Sequence, residues 1–351
     1  MKNKVLFVLI SVIVLGSLVM SACAQATAAP TAAPTTAAAA TPTVPAPICT
    51  KMANAPTVNA GDLGSADNPL VITFVPSGDT GAITVAGNEI ADCLASMTGL
   101  SFKIEVGTSY GASIEAMGGN KAQIGFLNTF SVLLAEQKYG VVPVLANLRK
   151  YSTNSVDPDK DLAGQMEPFY KAEFLTKADS GIKSLTDLKG KTFCFVDPNS
   201  TSGYIVPRII MKANGVDPDT DITSVNAGSH PNVAIGVYKG QCEAGVAYID
   251  ILTDASANLA ATYPDISTKV VAFLDSDKIP NDGVQVVKTL DPAITKAVVD
   301  GMLAMEQDPG GAAVLKNLYS IAGMQQIEPT FYDDFGAILK AAGVYPATLV
   351  K

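Results

Sequence analysis

Seven consecutive residues, Asp197-Pro198-Asn199-Ser200-Thr201-Ser202-Gly203, put three hydroxyls side by side in a turn closed by glycine. Thirty positions beyond Ser200, Gly228-Ser229-His230 carries the only histidine of the 351-residue chain. The run 191–196 ahead of the serines reads as a buried strand, and 204–213 reads as a helix. A strand, a hydroxyl-rich turn and a helix in that order aim free backbone N–H groups, hydroxyls and the positive end of a helix dipole at one spot, which suits a small oxyanion. The same serines also make ordinary N-caps. A different chemistry is a hydrolase with Ser200 or Ser202 as nucleophile, His230 as base and Asp250 behind it. Against it, the chain has no Gly-x-Ser-x-Gly elbow.

The elements that must position these groups repeat one pattern. Strands are predicted at 70–75, 102–106, 122–127 and 141–148, with helices at 81–97, 112–117 and 129–139 between them. Residues 173–177 and 183–188 lead into a second run: a strand over 191–196, a helix over 203–213, a strand near 221–226, a helix over 231–239 and a strand over 243–248. After strands at 270–273 and 283–287, helices are expected near 291–306, 309–321 and 331–342. Repeated β-α-β alternation is the signature of largely parallel sheets covered by helices. Two such α/β lobes, residues 69–168 with 275–351 and residues 169–274, predict a hinged clamshell with a C-terminal helical tail. Ligands of such sheets sit where strands end and helices begin. Three hydroxyl-bearing turns fall there: 108–113 with Tyr110, 129–131 with Thr129, and 200–203.

Composition narrows the partners. Without Lys2 and Lys4 of the leader, 22 basic residues face 33 acidic ones, a formal charge of −11. That balance argues against nucleic acid and anionic lipid headgroups. An anionic ligand must then be held by local donors. One histidine and no Cys-x-x-Cys argue against a metal, and no cofactor is expected. Outside the leader, Cys49, Cys93, Cys194 and Cys242 make an even number. Adjacent strands of one lobe suggest Cys194–Cys242, leaving Cys49–Cys93; four reduced cysteines are the alternative.

Residues 1–22 have a positive start, an apolar run over 5–20 and small residues before Cys23, the pattern of a secretory signal. Cleavage before Cys23 would leave that residue to carry a lipid, and ordinary cleavage after Ala-x-Ala would release the chain. Residues 24–47 are uncharged and rich in Ala, Thr and Pro, so 23–68 is expected to act as a spacer between the lipid and the body. The protein is thus expected outside the cytoplasm, anchored to the membrane by its N-terminus, and monomeric.

The body, 70–345, resembles the PhnD-type substrate-binding proteins of phosphonate, phosphite and phosphate ABC transporters. The resemblance rests on Ser109-Tyr110-Gly111-Ala112-Ser113-Ile114-Glu115-Ala116-Met117, Ser184-Leu185-Thr186-Asp187-Leu188-Lys189-Gly190-Lys191, Phe195-Val196-Asp197-Pro198-Asn199-Ser200-Thr201-Ser202-Gly203-Tyr204, Ala227-Gly228-Ser229-His230 and Ile279-Pro280-Asn281-Asp282. It implies a type II periplasmic-binding-protein fold, no enzymatic activity, and a membrane permease as partner. By resemblance, Ser200, Thr201, Ser202, His230, Tyr110 and Tyr170 would hold a phosphorus oxyanion. Asp250 and Asp282 would fall where aminoalkylphosphonate binders pair with the ligand's ammonium. A sensor, or a binder of another oxyanion such as a sulfonate, is the alternative within the same fold. His230 could instead cap the helix that follows it, Tyr110 could be core packing, and Asp282 could serve the Pro-Asn-Asp-Gly turn.

Overall fold

The computed structural model describes residues 49–346. The leader, the lipidation expectation at Cys23 and the spacer through residue 48 lie outside the described residues. Among the described residues, no helix is long and apolar enough to cross a membrane.

Apolar, β-rich runs and capped helices alternate along the first third of the body. Strands β1 (Leu70–Phe74), β2 (Phe102–Val106) and β3 (Ile124–Leu127) pair in parallel. Helices α1 (Thr80–Thr98) and α2 (Tyr110–Gly118) connect them, and α3 (Thr129–Tyr139) leads into β4 (Val142–Lys150) and its short partner β5 (Met166–Glu167). Burial on both faces explains the continuous apolar sequence of β1, whose Phe74 stacks on Phe126 of β3 with ring centroids 4.8 Å apart.

The chain then crosses through β6 (Phe169–Tyr170) to a second sheet. That sheet is built from β7 (Ala172–Lys177), β8 (Thr192–Phe195), β9 (Thr223–Asn226), β10 (Ala244–Tyr248) and β11 (Val270–Asp275). Helices α4 (Val206–Ala213) and α5 (His230–Lys239) connect its parallel strands, and two single-turn helices, α6 (Leu259–Thr262) and α7 (Ile266–Lys269), precede β11. The return passes through β12 (Ile279–Pro280) into β13 (Gly283–Val286), which inserts antiparallel between β3 and β4. Gly283 is required there, because a Cβ would run into the Leu145 carbonyl of β4. Helices α8 (Pro292–Gln307) and α9 (Pro309–Asn317), strand β14 (Gly323–Gln326) and helix α10 (Asp333–Ala341) complete the fold. The sheet orders are β14-β4-β13-β3-β1-β2, with β5 on β4, and β11-β7-β10-β8-β9.

The two crossings lie side by side as a ribbon, with Ile279 opposite Tyr170 and Pro280 opposite Phe169. Asn281 is fully buried beside it. Its side-chain amide donates to the Asn147 and Glu167 carbonyls, both at 3.0 Å, and its N–H donates to the Pro168 carbonyl at 2.7 Å. Tyr332 of the C-terminal segment donates to the Asn281 carbonyl at 2.9 Å. The buried amide nitrogen of Asn281, with both protons spent on carbonyls of the first sheet, fixes where the crossings sit while leaving a thin ribbon to bend.

One expectation changes and one element is added. Among the expected tail helices, β14 lies between α9 and α10 and pairs antiparallel with β4. Gly323-Met324-Gln325-Gln326 has no β-branched residue, so its pairing comes from the exposed edge it completes rather than from its own propensity. Residues 49–68, assigned to the spacer on composition, belong to the body. The Met52 N–H donates to the Met97 carbonyl at 2.9 Å, and the Ser101 N–H donates to the Gly64 carbonyl at 2.8 Å. A disulfide joins Cys49 to Cys93 of α1, and another joins Cys194 of β8 to Cys242 before β10.

Candidate functional site

Five helix starts face one cleft between the two sheets. They contribute Ser77, Gly78 and Asp79 before α1, Tyr110 as the first residue of α2, Asn128 as the N-cap of α3, the serine turn before α4, and His230 as the first residue of α5. Each helix start leaves N–H groups without partners inside its helix and adds a partial positive charge. Five together give an acidic protein a local field that favours an anion.

The serine turn is wound as a single π-helical turn, Thr201–Ile205, which continues into α4. A π-turn of this kind is rare and concentrates at functional sites. Its cap, Ser200, accepts the Gly203 N–H at 3.1 Å. Thr201 Oγ1 accepts two bonds from the opposite lobe, from Asn128 Nδ2 at 2.8 Å and from the Phe130 N–H at 2.9 Å. Asn128 also donates to the Asn199 carbonyl at 2.9 Å, and the His230 N–H donates to the Ser77 carbonyl at 3.2 Å. The lobes are therefore closed on one another across the cleft.

These bonds set the polarity of the site. A hydroxyl oxygen has two lone pairs and one proton. With both Thr201 lone pairs engaged, its proton is left to donate into the cleft. His230 is fixed in the same sense. Its Nδ1 accepts the Tyr248 N–H at 3.1 Å, so the ring proton resides on Nε2, which lies 3.4 Å from Ser200 Oγ. Burial, then the Arg149 charge, hold the His230 pKa down at about 3. His230 is thus a neutral donor and adds no charge of its own. The Tyr110 hydroxyl is buried beside Ser200 and makes no hydrogen bond of ordinary geometry; the buried side-chain oxygens of Asn128 and Asn147 are also unpaired. Buried polar atoms are rarely left so unless a ligand or water completes them.

The depressed histidine pKa has a measurable consequence. Between pH 6.5 and 3 the unfolded chain takes up a proton that folded His230 refuses. The stability tied to this residue is complete above about pH 6.5, the ordinary histidine value, and falls as the pH drops below it. The thermal midpoint should therefore fall more steeply from pH 7 to pH 5 in the wild type than in His230→Asn. Parallel pH curves for the two proteins would refute the assignment.

Seven of the nine expected ligand residues line this cleft: Tyr110, Tyr170, Ser200, Thr201, Ser202, His230 and Asp282. Burial raises the pKa of Asp282 while Arg149 opposes the shift. Two residues fall elsewhere. Thr129 spends its hydroxyl on the Pro280 carbonyl at 2.6 Å and so secures the return crossing. Asp250 turns away at φ 69° and faces Arg149, with Oδ1 3.6 Å from Nη2. His230 Nδ1 accepts a backbone N–H and Asp250 pairs with an arginine, so the hydrolase triad does not form.

The most consequential residue missed in the sequence is Arg149, near the end of β4. Its side chain is 14% exposed, lines the cleft, and lies 3.6 Å from both Asp250 Oδ1 and Asp254 Oδ2. Burial disfavours its charge, but the two carboxylates outweigh that and raise its pKa. Asn128, Ser77 and Tyr319 were missed as well. The signal for Arg149 and Asn128 was position, since both stand where strands of the first sheet end. Tyr319 follows α9 at φ 51°, a conformation that no glycine or asparagine announces.

Residues 72–334 match the family model described as ABC transporter, phosphonate, periplasmic substrate-binding protein. The Phosphate-import protein PhnD of Mycolicibacterium smegmatis is 24% identical over 53% of this chain and 56% of its own length. The Phosphonates-binding periplasmic protein of Escherichia coli is 27% identical over 60% of this chain and 58% of its own length. The matched parts thus span a little over half of each relative. Among solved structures, the binding protein component of an ABC phosphonate transporter from Pseudomonas aeruginosa superposes with a TM-score of 0.67 at 20% identity, covering 78% of this chain and 86% of that one. PhnD1 of Prochlorococcus marinus, solved with methylphosphonate, gives 0.64 at 16% identity over 79% and 98%. These likenesses show a type II periplasmic-binding-protein fold. With the family model matching most of its length, the chain belongs to the phosphonate periplasmic substrate-binding proteins of ABC transporters, a family of binding components and not of enzymes.

Proposed function

We propose that this chain captures a phosphorus oxyanion (a phosphonate, phosphite or phosphate) between its lobes and delivers it to an ABC transporter permease outside the cytoplasm. The reading includes a lipid on Cys23, a spacer leading to the body, a monomeric state, and two lobes that divide near residues 168 and 275. The observation that carries it is the convergence of five helix starts and inward-donating Thr201 and His230 on one cleft. Tyr110, Tyr170, Ser200, Thr201, Ser202 and His230 would grip the P–O oxygens. Asp282 supplies an acceptor among these donors. Phosphate and phosphonates retain a proton on some oxygens near neutral pH, whereas sulfate carries none, so an acceptor favours phosphorus over sulfur.

Calorimetric titration of residues 49–351, after unfolding and refolding to strip carried-over ligand, tests this. Phosphate, phosphite, methylphosphonate and sulfate are the probes. At least one phosphorus oxyanion should bind with a Kd of about micromolar or below, the range set by about −8 kcal/mol of binding free energy, and sulfate should be silent. Heat from sulfate alone, or from none of the four, would overturn the reading.

A further inference from the structure

The cleft wall carries a row of rings that ends in a charge. Ser200 Oγ lies 3.4 Å from His230 Nε2, the His230 ring is tilted against Tyr248 with centroids 4.9 Å apart, and the Arg149 guanidinium carbon lies 5.2 Å from the Tyr248 centroid. Arg149 therefore stands two rings away from the serine turn, across the cleft wall formed by His230 and Tyr248. Its nearest carboxylate oxygens, on Asp250 and Asp254, are at 3.6 Å, which is an ion-pair distance and too long for a hydrogen bond. Asp254 is already occupied. Tyr248 Oη and Ser256 Oγ donate to its Oδ2 at 2.8 and 2.9 Å, and the Ser256 N–H donates to Oδ1 at 2.9 Å. Among the described residues, no hydrogen bond spends the guanidinium N–H groups of Arg149, which remain available to the cleft.

We propose that Arg149 is the residue that sets ligand specificity beyond these two rings: a built-in cation, held by Asp250 and Asp254 and backed by Tyr248, that admits an uncharged or oxygen-bearing substituent and excludes an ammonium. The inference rests on the oxyanion reading above. A ligand ammonium entering here would meet a fixed like charge that cannot retreat, because its side chain is held between two carboxylates and an aromatic face. Removing Arg149 would leave the carboxylates of Asp250, Asp254 and Asp282 without their cation, and the same end of the cleft would then attract an ammonium.

The test compares ethylphosphonate with 2-aminoethylphosphonate, which differ by the ammonium alone, in the wild type, Arg149→Ala and Arg149→Lys. Methylphosphonate against aminomethylphosphonate repeats the comparison for a cleft too short for two carbons. The wild type should prefer the amine-free partner by about 100-fold, the scale of a like-charge contact within a protein site. Arg149→Lys should keep that order, and Arg149→Ala should reverse it. A wild type that binds the aminophosphonate as tightly as its partner overturns the proposal, whether or not the alanine variant folds. So does an Arg149→Ala protein that loses both members of a pair equally, since Arg149 would then be an oxyanion contact. A wild type limited to phosphate or phosphite, with Arg149→Ala still refusing both aminophosphonates, overturns it as well. Failure of every phosphorus compound in the wild type would instead sink the oxyanion reading on which it rests.

Discussion

Gly203→Ala is expected to weaken binding of whichever phosphorus oxyanion the wild type takes by about 100-fold, the scale of a 1–3 kcal/mol overpacking strain placed at the site itself. A Cβ at this position would clash with Val196 at the end of the preceding strand and lie 2.8 Å from Ser200 Oγ. Two bonds would be lost together. The Gly203 N–H holds the Ser200 hydroxyl at 3.1 Å, and the Gly203 carbonyl accepts the Val196 N–H at 3.0 Å. The strain falls on the π-turn, whose tight winding brings Ser200, Thr201 and Ser202 to the cleft in succession. Calorimetry would read the affinity, and circular dichroism would show that the second sheet persists. Adding Val196→Ala removes the γ-carbons that the new methyl meets, and should recover part of the loss. Unchanged affinity in the single variant would show that the turn does not need its glycine.

Thr201→Val should cost about 10- to 100-fold in affinity, since one or two buried donors left without an acceptor cost about 1–3 kcal/mol each. Valine matches threonine in shape, so packing is preserved and only the oxygen is lost. That oxygen receives Asn128 Nδ2 and the Phe130 N–H from the other lobe. Asn128 keeps its second partner, the Asn199 carbonyl, but the Phe130 N–H has no substitute. The penalty belongs to the closed form, because in an open protein water would satisfy both donors. The ligand-saturated variant should therefore show a larger radius of gyration by small-angle scattering than the saturated wild type, while Thr201→Ser should behave as the wild type does. Equal radii together with equal affinities would remove Thr201 from the closing contact.

Much of this was legible in the residues because periodicity and chemistry agreed. Parallel strands β1, β3, β8 and β10 are short, mostly apolar runs bounded by turn residues, whereas β2 alternates and β9 is polar and exposed; the helices that follow begin with Asp79, Ser109, Ser200 and Ser229, all of which accept an N–H of the first turn. The serine turn and His230 stand out in the sequence because hydroxyls and a lone histidine are unusual in an apolar background. Charge at the site was misread for a physical reason. Arg149 stands in Leu148-Arg149-Lys150, which reads as the solvated end of a strand, and nothing local shows that carboxylates about a hundred positions later will fold around it. Asp250 is a ligand candidate by resemblance alone, and its partner Arg149 comes from the other lobe. Thr129 was one residue off: the N-cap Asn128 faces the cleft, and the hydroxyl beside it turns to the crossing strand. Such errors come from contacts between lobes, which sequence periodicity does not encode.

The bridge from Cys49 to Cys93 also decides where mechanical load enters the body. Chain preceding Cys49 is tied through this bond to the middle of α1, a helix packed on the first sheet, and the Met52–Met97 hydrogen bond repeats the attachment near the end of that helix. Tension along the N-terminal segment is thus delivered to one lobe only. It does not pass through the Tyr170–Ile279 ribbon or through the Asn128–Thr201 contact. The second lobe can swing about its hinge while the first is pulled, so the work of closing on a ligand is decoupled from the force on the segment that precedes the body.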